Sequence, residues 1–123
     1  MITGIITAAR EAVIQMAVRG PSGHAVAVDA VIDTGFTGWL TLPTSLIGTL
    51  GLPFAGTTRA TLSDASEVAI DVFAATVVWD SRDRPVTVLA TDGGVLVGMA
   101  MLLGFRLTIE GAIGGPVQIE ALP

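Results

Sequence analysis

The chain has no cysteine, no lysine, no tyrosine and a single histidine, His24, among its 123 residues. Without cysteine there is no disulfide, no zinc-thiolate site and no thiol nucleophile, and one histidine cannot build a His-rich metal site. No metal and no cofactor is therefore expected. Charge is scarce as well: 14% of residues are charged, and six Arg face seven Asp and four Glu, for a net charge of -5 and a pI near 4.5. Such a surface makes nucleic acid a poor partner. Long apolar runs are also missing. The longest uncharged stretch, Thr34 to Thr58, is broken by five Gly and two Pro, so no segment qualifies as a spanning helix and no membrane partner is expected. Residues Met1 to Ile6 show neither a basic region ahead of an apolar stretch nor a cleavage site of small residues, which points to a cytoplasmic protein.

What is present is apolar. Hydrophobic residues make up 51% of the chain and the mean hydropathy is +0.75, a composition that folds rather than stays disordered. The length fits one domain, residues 1–123, with one core. A domain of this size leaves much apolar surface uncovered, and the expected sink for the excess is a subunit interface.

Short segments rich in Val, Ile and Thr recur between Gly and Pro clusters, which predicts an all-β fold. Strands are expected at 2–8 and 12–19 as a hairpin around Arg10, then at 24–32 after the turn Gly20-Pro21-Ser22-Gly23, and at 39–42. The spacing of Leu46, Ile47 and Leu50, with Thr44 as N-cap and Gly51 just past the end, predicts a two-turn helix. Residues 57–62 and 67–79 form a second predicted hairpin joined by Ser63-Asp64-Ala65-Ser66. A charged turn follows at Asp80 to Arg84, leading into a strand to Ala90. A short helix ending at Gly104 and strands at 105–110 and 117–122 complete the expectation.

The chemistry concentrates at Asp33-Thr34-Gly35, where the apolar strand end Val31-Ile32 breaks into a loop followed by Phe36-Thr37-Gly38. A carboxylate presented there is held by rigid elements on both sides. The tripeptide alone is a weak signal, and an Asx-type turn is the plain structural alternative for Asp33. Asp29 lies four strand residues earlier, roughly 13 Å away and too far to share a proton with Asp33. It reads as solvated. His24 reads as decorating a strand start, Met99 and Met101 as packing residues, and Trp39 as core in preference to lining a peptide pocket.

Downstream, Leu96-Val97-Gly98 leads into Met99-Ala100-Met101-Leu102-Leu103-Gly104-Phe105-Arg106-Leu107-Thr108-Ile109. Together with Val31-Ile32-Asp33-Thr34-Gly35-Phe36-Thr37-Gly38 and the hairpin between them, these segments resemble the single-domain retropepsin-like aspartic proteases, in particular their small bacterial branch. The resemblance covers nearly the whole chain in element order. It implies an acid-protease barrel with one or two short helices, completed as a homodimer whose seam is built from the terminal strands. It also implies that Asp33 is catalytic, that Thr34 hydrogen-bonds across the dimer axis, and that Gly35 admits close approach of substrate. Gly98 would pack beside the catalytic loop. Residues 57–79 would be a flap over an extended peptide or unfolded protein substrate, with Phe36 and the tip residues Leu62, Ser63, Asp64, Ala65 and Ser66 in contact with it. Two positions depart from the family pattern: Ala100 stands where a polar Asp or Asn is common, and Ala65 where flap tips usually carry Gly.

The chemical logic stands apart from the resemblance. Water attacks a peptide carbonyl when one carboxylate takes its proton and a protonated carboxyl donates to the carbonyl oxygen. One chain supplies only one such loop, so a C2 dimer is needed, and the same dimer buries surplus apolar surface. Together with the resemblance, this implies aspartic endopeptidase activity. Two alternatives remain open: a catalytically inactive dimeric peptide-binding or structural module of the same fold, and a β-barrel subunit of a larger hetero-assembly.

Overall fold

Alternation of apolar and polar residues makes two eight-residue strands, β2 (Ala12–Arg19) and β3 (Ala25–Ile32), which pair antiparallel and bury Ile14, Met16 and Val18 from one and Val28 and Ala30 from the other. The computed structural model describes residues 1–123. The remaining strands are β1 (Ile2–Ile6), β4 (Leu40–Pro43), β5 (Phe54–Thr61), β6 (Glu67–Trp79), β7 (Arg82–Thr91), β8 (Leu96–Val97), β9 (Phe105–Ile109) and β10 (Pro116–Ala121). Two short helices interrupt them, α1 (Thr44–Leu50) and α2 (Met99–Leu102). The fold is all-β, as expected.

The strands form one sheet in the order β5-β6-β7-β4-β8-β3-β2-β1-β10-β9, and an additional β6–β2 pairing closes it into a barrel. Two long strands make closure possible by serving two neighbours along one edge. The first part of β6 pairs with β5 and its end, Thr76 to Val78, with β2; the start of β2 pairs with β1 and its end with β6. Inside lies a cluster of 20 buried apolar residues, among them Leu40, Leu42, Val77, Val88, Val97, Met101 and Ile119. Thr41 is the one buried polar residue. Its hydroxyl donates to Gly94 O at 3.0 Å and accepts from Leu96 N at 2.9 Å, fixing where β8 begins.

Several boundaries differ from the sequence expectation for local reasons. The first strand stops at Ile6, because Arg10 N bonds Thr7 O and Arg10 takes a φ of 65°, making a turn of residues 7–10. Pro43, not Thr44, is the N-cap of α1, with extended φ and ψ of -61° and 142° and no side-chain cap. Gly51 ends that helix in the left-handed conformation, φ 62°, as expected. Strand β5 begins at Phe54, three residues before its predicted start, across a bulge at Gly56. The charged turn contracts to Asp80 and Ser81, both at positive φ, the geometry of a two-residue hairpin, so Arg82, Asp83 and Arg84 belong to β7.

The sheet order also bears on the terminal strands. β1 lies between β10 and β2, and β10 between β1 and β9, so neither has an edge free for backbone pairing with a second copy. The open edges are β5 and β9.

Candidate active site

Strand β8 inserts between β3 and β4, parallel to the first and antiparallel to the second, so Val97 faces both Ile32 and Leu40. The chain between those two strands, residues 33–39, must therefore loop over the end of β8. Asp33 N donates to Val97 O at 2.9 Å, pinning the residue where it leaves the sheet. Its carboxylate Oδ1 accepts from Gly35 N at 2.9 Å, and its carbonyl accepts from Phe36 N at 3.2 Å. The plain Asx-turn geometry is thus present, and it aims the carboxylate; Oδ2 is left for other partners.

Below the loop, α2 and the residue before it are fastened to the loop by backbone hydrogen bonds. Met99 N donates to Phe36 O at 2.7 Å, Ala100 N to Gly38 O at 3.1 Å and Gly98 N to Trp39 O at 3.1 Å. This contact requires glycine at 98: a methyl there would collide with the Gly38 carbonyl and come within 2.6 Å of the Phe36 ring. The Phe36 ring also folds back over Gly38. At Gly35 a methyl would be pressed to 3.3 Å from Asp33 Oδ1. Asp33 is half-buried while Thr34 and Gly35 are exposed on the rim of the loop.

Beside the loop opens a cleft of about 550 Å³, walled by Gly35 to Trp39 on one side and by Thr58 to Thr61 of β5 with Thr87 and Leu89 of β7 on the other. Phe36 lines it. Leu62 to Ser66 do not; they form the hairpin tip beyond it, a loop in which Leu62 N donates to Ser66 O and Ala65 N to Leu62 O. Ala65 sits at φ 67°, the position in such a loop that favours glycine. Asp64 Oδ1 accepts from the Ser66 hydroxyl at 2.5 Å and from Ser66 N at 2.9 Å, and these two bonds hold its carboxyl below the usual Asp range.

Thr58 to Thr61 lie in the expected flap, 57–79, but were not singled out as contacts, and Thr87 and Leu89 were not expected at the site at all; strand order brings both groups opposite the loop. Trp39, read as packing, does pack on the core but also lines the cleft. Asp29 and His24 are exposed, and Met101 is buried in the core, whereas Met99 remains 38% exposed. Arg84, read as part of a charged turn, is instead half-buried against Trp39 and Phe105. No helix is long and apolar enough to cross a membrane.

No protein-family model matches the chain, and no curated protein matches it. Solved structures do. A retropepsin-like aspartic protease from Rickettsia conorii superposes with a TM-score of 0.59 at 14% identity, covering 98% of this chain and 90% of the other. The Simian Foamy Virus (mac) protease gives 0.51 at 18% identity, covering 72% of this chain and 90% of its own. The EIAV protease, solved with the inhibitor HBY-793, gives 0.50 at 16% identity, covering 72% and 83%. The Rickettsia match extends over nearly the whole chain, terminal strands included, and with the closed barrel and the Asp33 loop on β8 it makes this a retropepsin-like fold.

Proposed function

We propose that the chain is an aspartic endopeptidase that acts as a homodimer on extended or unfolded polypeptide. The observation that carries this reading is the placement of Asp33: its backbone pinned to β8, its carboxylate aimed by Gly35 N–H, beside a cleft walled by β5 and β7. In the reaction, one Asp33 carboxylate of the pair takes a proton from water as the water oxygen attacks the scissile carbonyl. The partner carboxyl donates its proton to the carbonyl oxygen, giving a neutral tetrahedral diol. In the collapse the ionised carboxyl takes a proton from a diol hydroxyl as the carbonyl re-forms, and the protonated one gives its proton to the leaving amine as the C–N bond breaks, so the pair again holds one proton. Two carboxyls about 3 Å apart cannot both ionise, the established behaviour of aspartic-protease dyads. No cofactor is required. The β5–β6 arm is the flap, with Phe36 and the tip Leu62 to Ser66 contacting substrate, and Thr58 to Thr61 join them as cleft wall.

The second copy is supported by the free edge of β9. Glu110 N donates to Pro116 O and Leu122 N to Gly104 O, so even-numbered residues face β10 and the backbone of Phe105, Leu107 and Ile109 points off the edge. Unprotected edges are uncommon in chains that stay alone. β9 has no proline and no bulge, and its one charge, Arg106, is paired with Glu120 at 3.5 Å. Ile109 on β9 is exposed, as are Leu103 just before the strand, Leu122 just past β10 and Met99 on α2.

The test is hydrolysis of an unfolded protein by the parent and by Asp33→Asn. The parent should cleave, and the variant should lose at least about 10³-fold in kcat/KM while keeping its fold. Binding of the unfolded chain with no Asp33-dependent cleavage would favour the inactive peptide-binding module instead.

A further inference from the structure

Helix α2 carries Met99, Ala100, Met101 and Leu102, none of which can hydrogen-bond through its side chain to the loop it supports. Its one side-chain tether comes from elsewhere. Arg84, projecting from β7, donates from Nη1 to Met101 O at 2.7 Å, while its guanidinium carbon lies 4.9 Å from the Trp39 ring centre and 5.9 Å from that of Phe105. Arg84 has no carboxylate partner, unlike Arg19, Arg59 and Arg106, which pair with Asp83, Glu67 and Glu120. A half-buried cation without a counter-ion is costly to hold, so its carbonyl bond and its two aromatic faces must repay desolvation. The three groups it touches belong to three parts of the site: Trp39 closes the Asp33 loop, Met101 lies in the turn that carries Met99 and Ala100 against Phe36 O and Gly38 O, and Phe105 opens β9.

We infer that Arg84 is a positioning residue that locks the Asp33 loop, α2 and the start of β9 into one geometry; its effect on turnover rests on the protease reading above. A planar guanidinium can stack on an indole and donate to a carbonyl at once, whereas an ammonium is a point charge that can do the second but not stack. Loss of the lock leaves the core strands intact and lets the loop drift, and a displacement near 1 Å at a reacting group costs about 10²-fold in rate.

The experiment compares the parent, Arg84→Lys and Arg84→Met by amide hydrogen exchange and by kcat and KM on an unfolded substrate. In Arg84→Met the Met99 and Ala100 amides should exchange at least about tenfold faster relative to those of Val28 and Ile14 in the β2–β3 ladder. Its kcat should fall at least about tenfold with KM within about threefold, and Arg84→Lys should recover part of both losses. Acceleration of all four amides by one common factor, or a kcat per folded dimer equal to the parent's, would overturn the assignment. The exchange arm needs no activity, so it decides the positioning role even if the parent proves not to cleave. Should Arg84→Met fail to fold, Arg84→Lys is read by the same criteria, with smaller factors expected.

Discussion

At residue 98 the lack of a side chain is a geometric requirement. The Gly38 carbonyl and the Phe36 ring occupy the space where any Cβ would stand, and the same backbone contact sets the height of the Asp33 loop. Gly98→Ala should therefore destabilise the chain by about 1–3 kcal/mol, the cost of overpacking a close contact, and should lower kcat as the loop is pushed aside. Urea denaturation measures the first effect. A variant as stable as the parent would mean that the loop and α2 are held apart by more than this structure shows. That Asp33 leaves a strand end into a loop was legible from the sequence around its tripeptide, and the packing of Gly98 beside that loop from its resemblance-based expectation; the role proposed for Asp33 is a separate matter. Arg84 was not legible: nothing in a run of charged residues distinguishes the one that turns inward to stack on aromatic rings.

Among the elements, the hairpin tip is held by Asp64, whose carboxylate accepts two bonds from Ser66. Both bonds favour the ionised form, so the folded carboxyl titrates below its unfolded value. Their support is complete above the ordinary Asp value of about 3.9 and is lost as pH falls through the lowered folded value. An NMR titration should place the Asp64 midpoint below that of an unstructured Asp, and tip amides should lose protection only in that acid range. A midpoint at or above the ordinary value would contradict the turn. The strands themselves were readable because β-branched residues alternate between Gly and Pro breaks, but their ends were not. Pro43 displaced Thr44 as the helix cap because its extended backbone already delivers the chain to α1, and the Asp80-Ser81 turn was narrower than its charge content implied. The cleft wall of Thr58 to Thr61 depends on which strands become neighbours, and strand order is a long-range property that local pattern does not carry.

For the whole molecule, the surplus of apolar residues and the single Asp-Thr-Gly loop motivate the proposed second copy, and because β1 and β10 have no free backbone edge while β9 has one, the proposed backbone pairing between copies is along β9. Ile109→Pro removes an N–H that points off that edge and leaves the β10 ladder intact. Proline is tolerated at such a position in a lone edge strand, so the variant should fold yet dimerise at least about tenfold more weakly in sedimentation equilibrium. Unchanged association would place the seam elsewhere. The central claim, that one active site takes an Asp33 from each of two chains, is tested most directly by mixing. A fixed amount of parent protein is equilibrated with increasing Asp33→Asn protein and its hydrolysis of an unfolded substrate is followed. If the carboxyl pair spans two copies, activity per parent chain falls with the fraction of parent chains, to about a tenth at ninefold excess of the variant. Activity that stays constant throughout the titration would mean that each chain cleaves alone, and the shared pair of Asp33 carboxyls would be wrong.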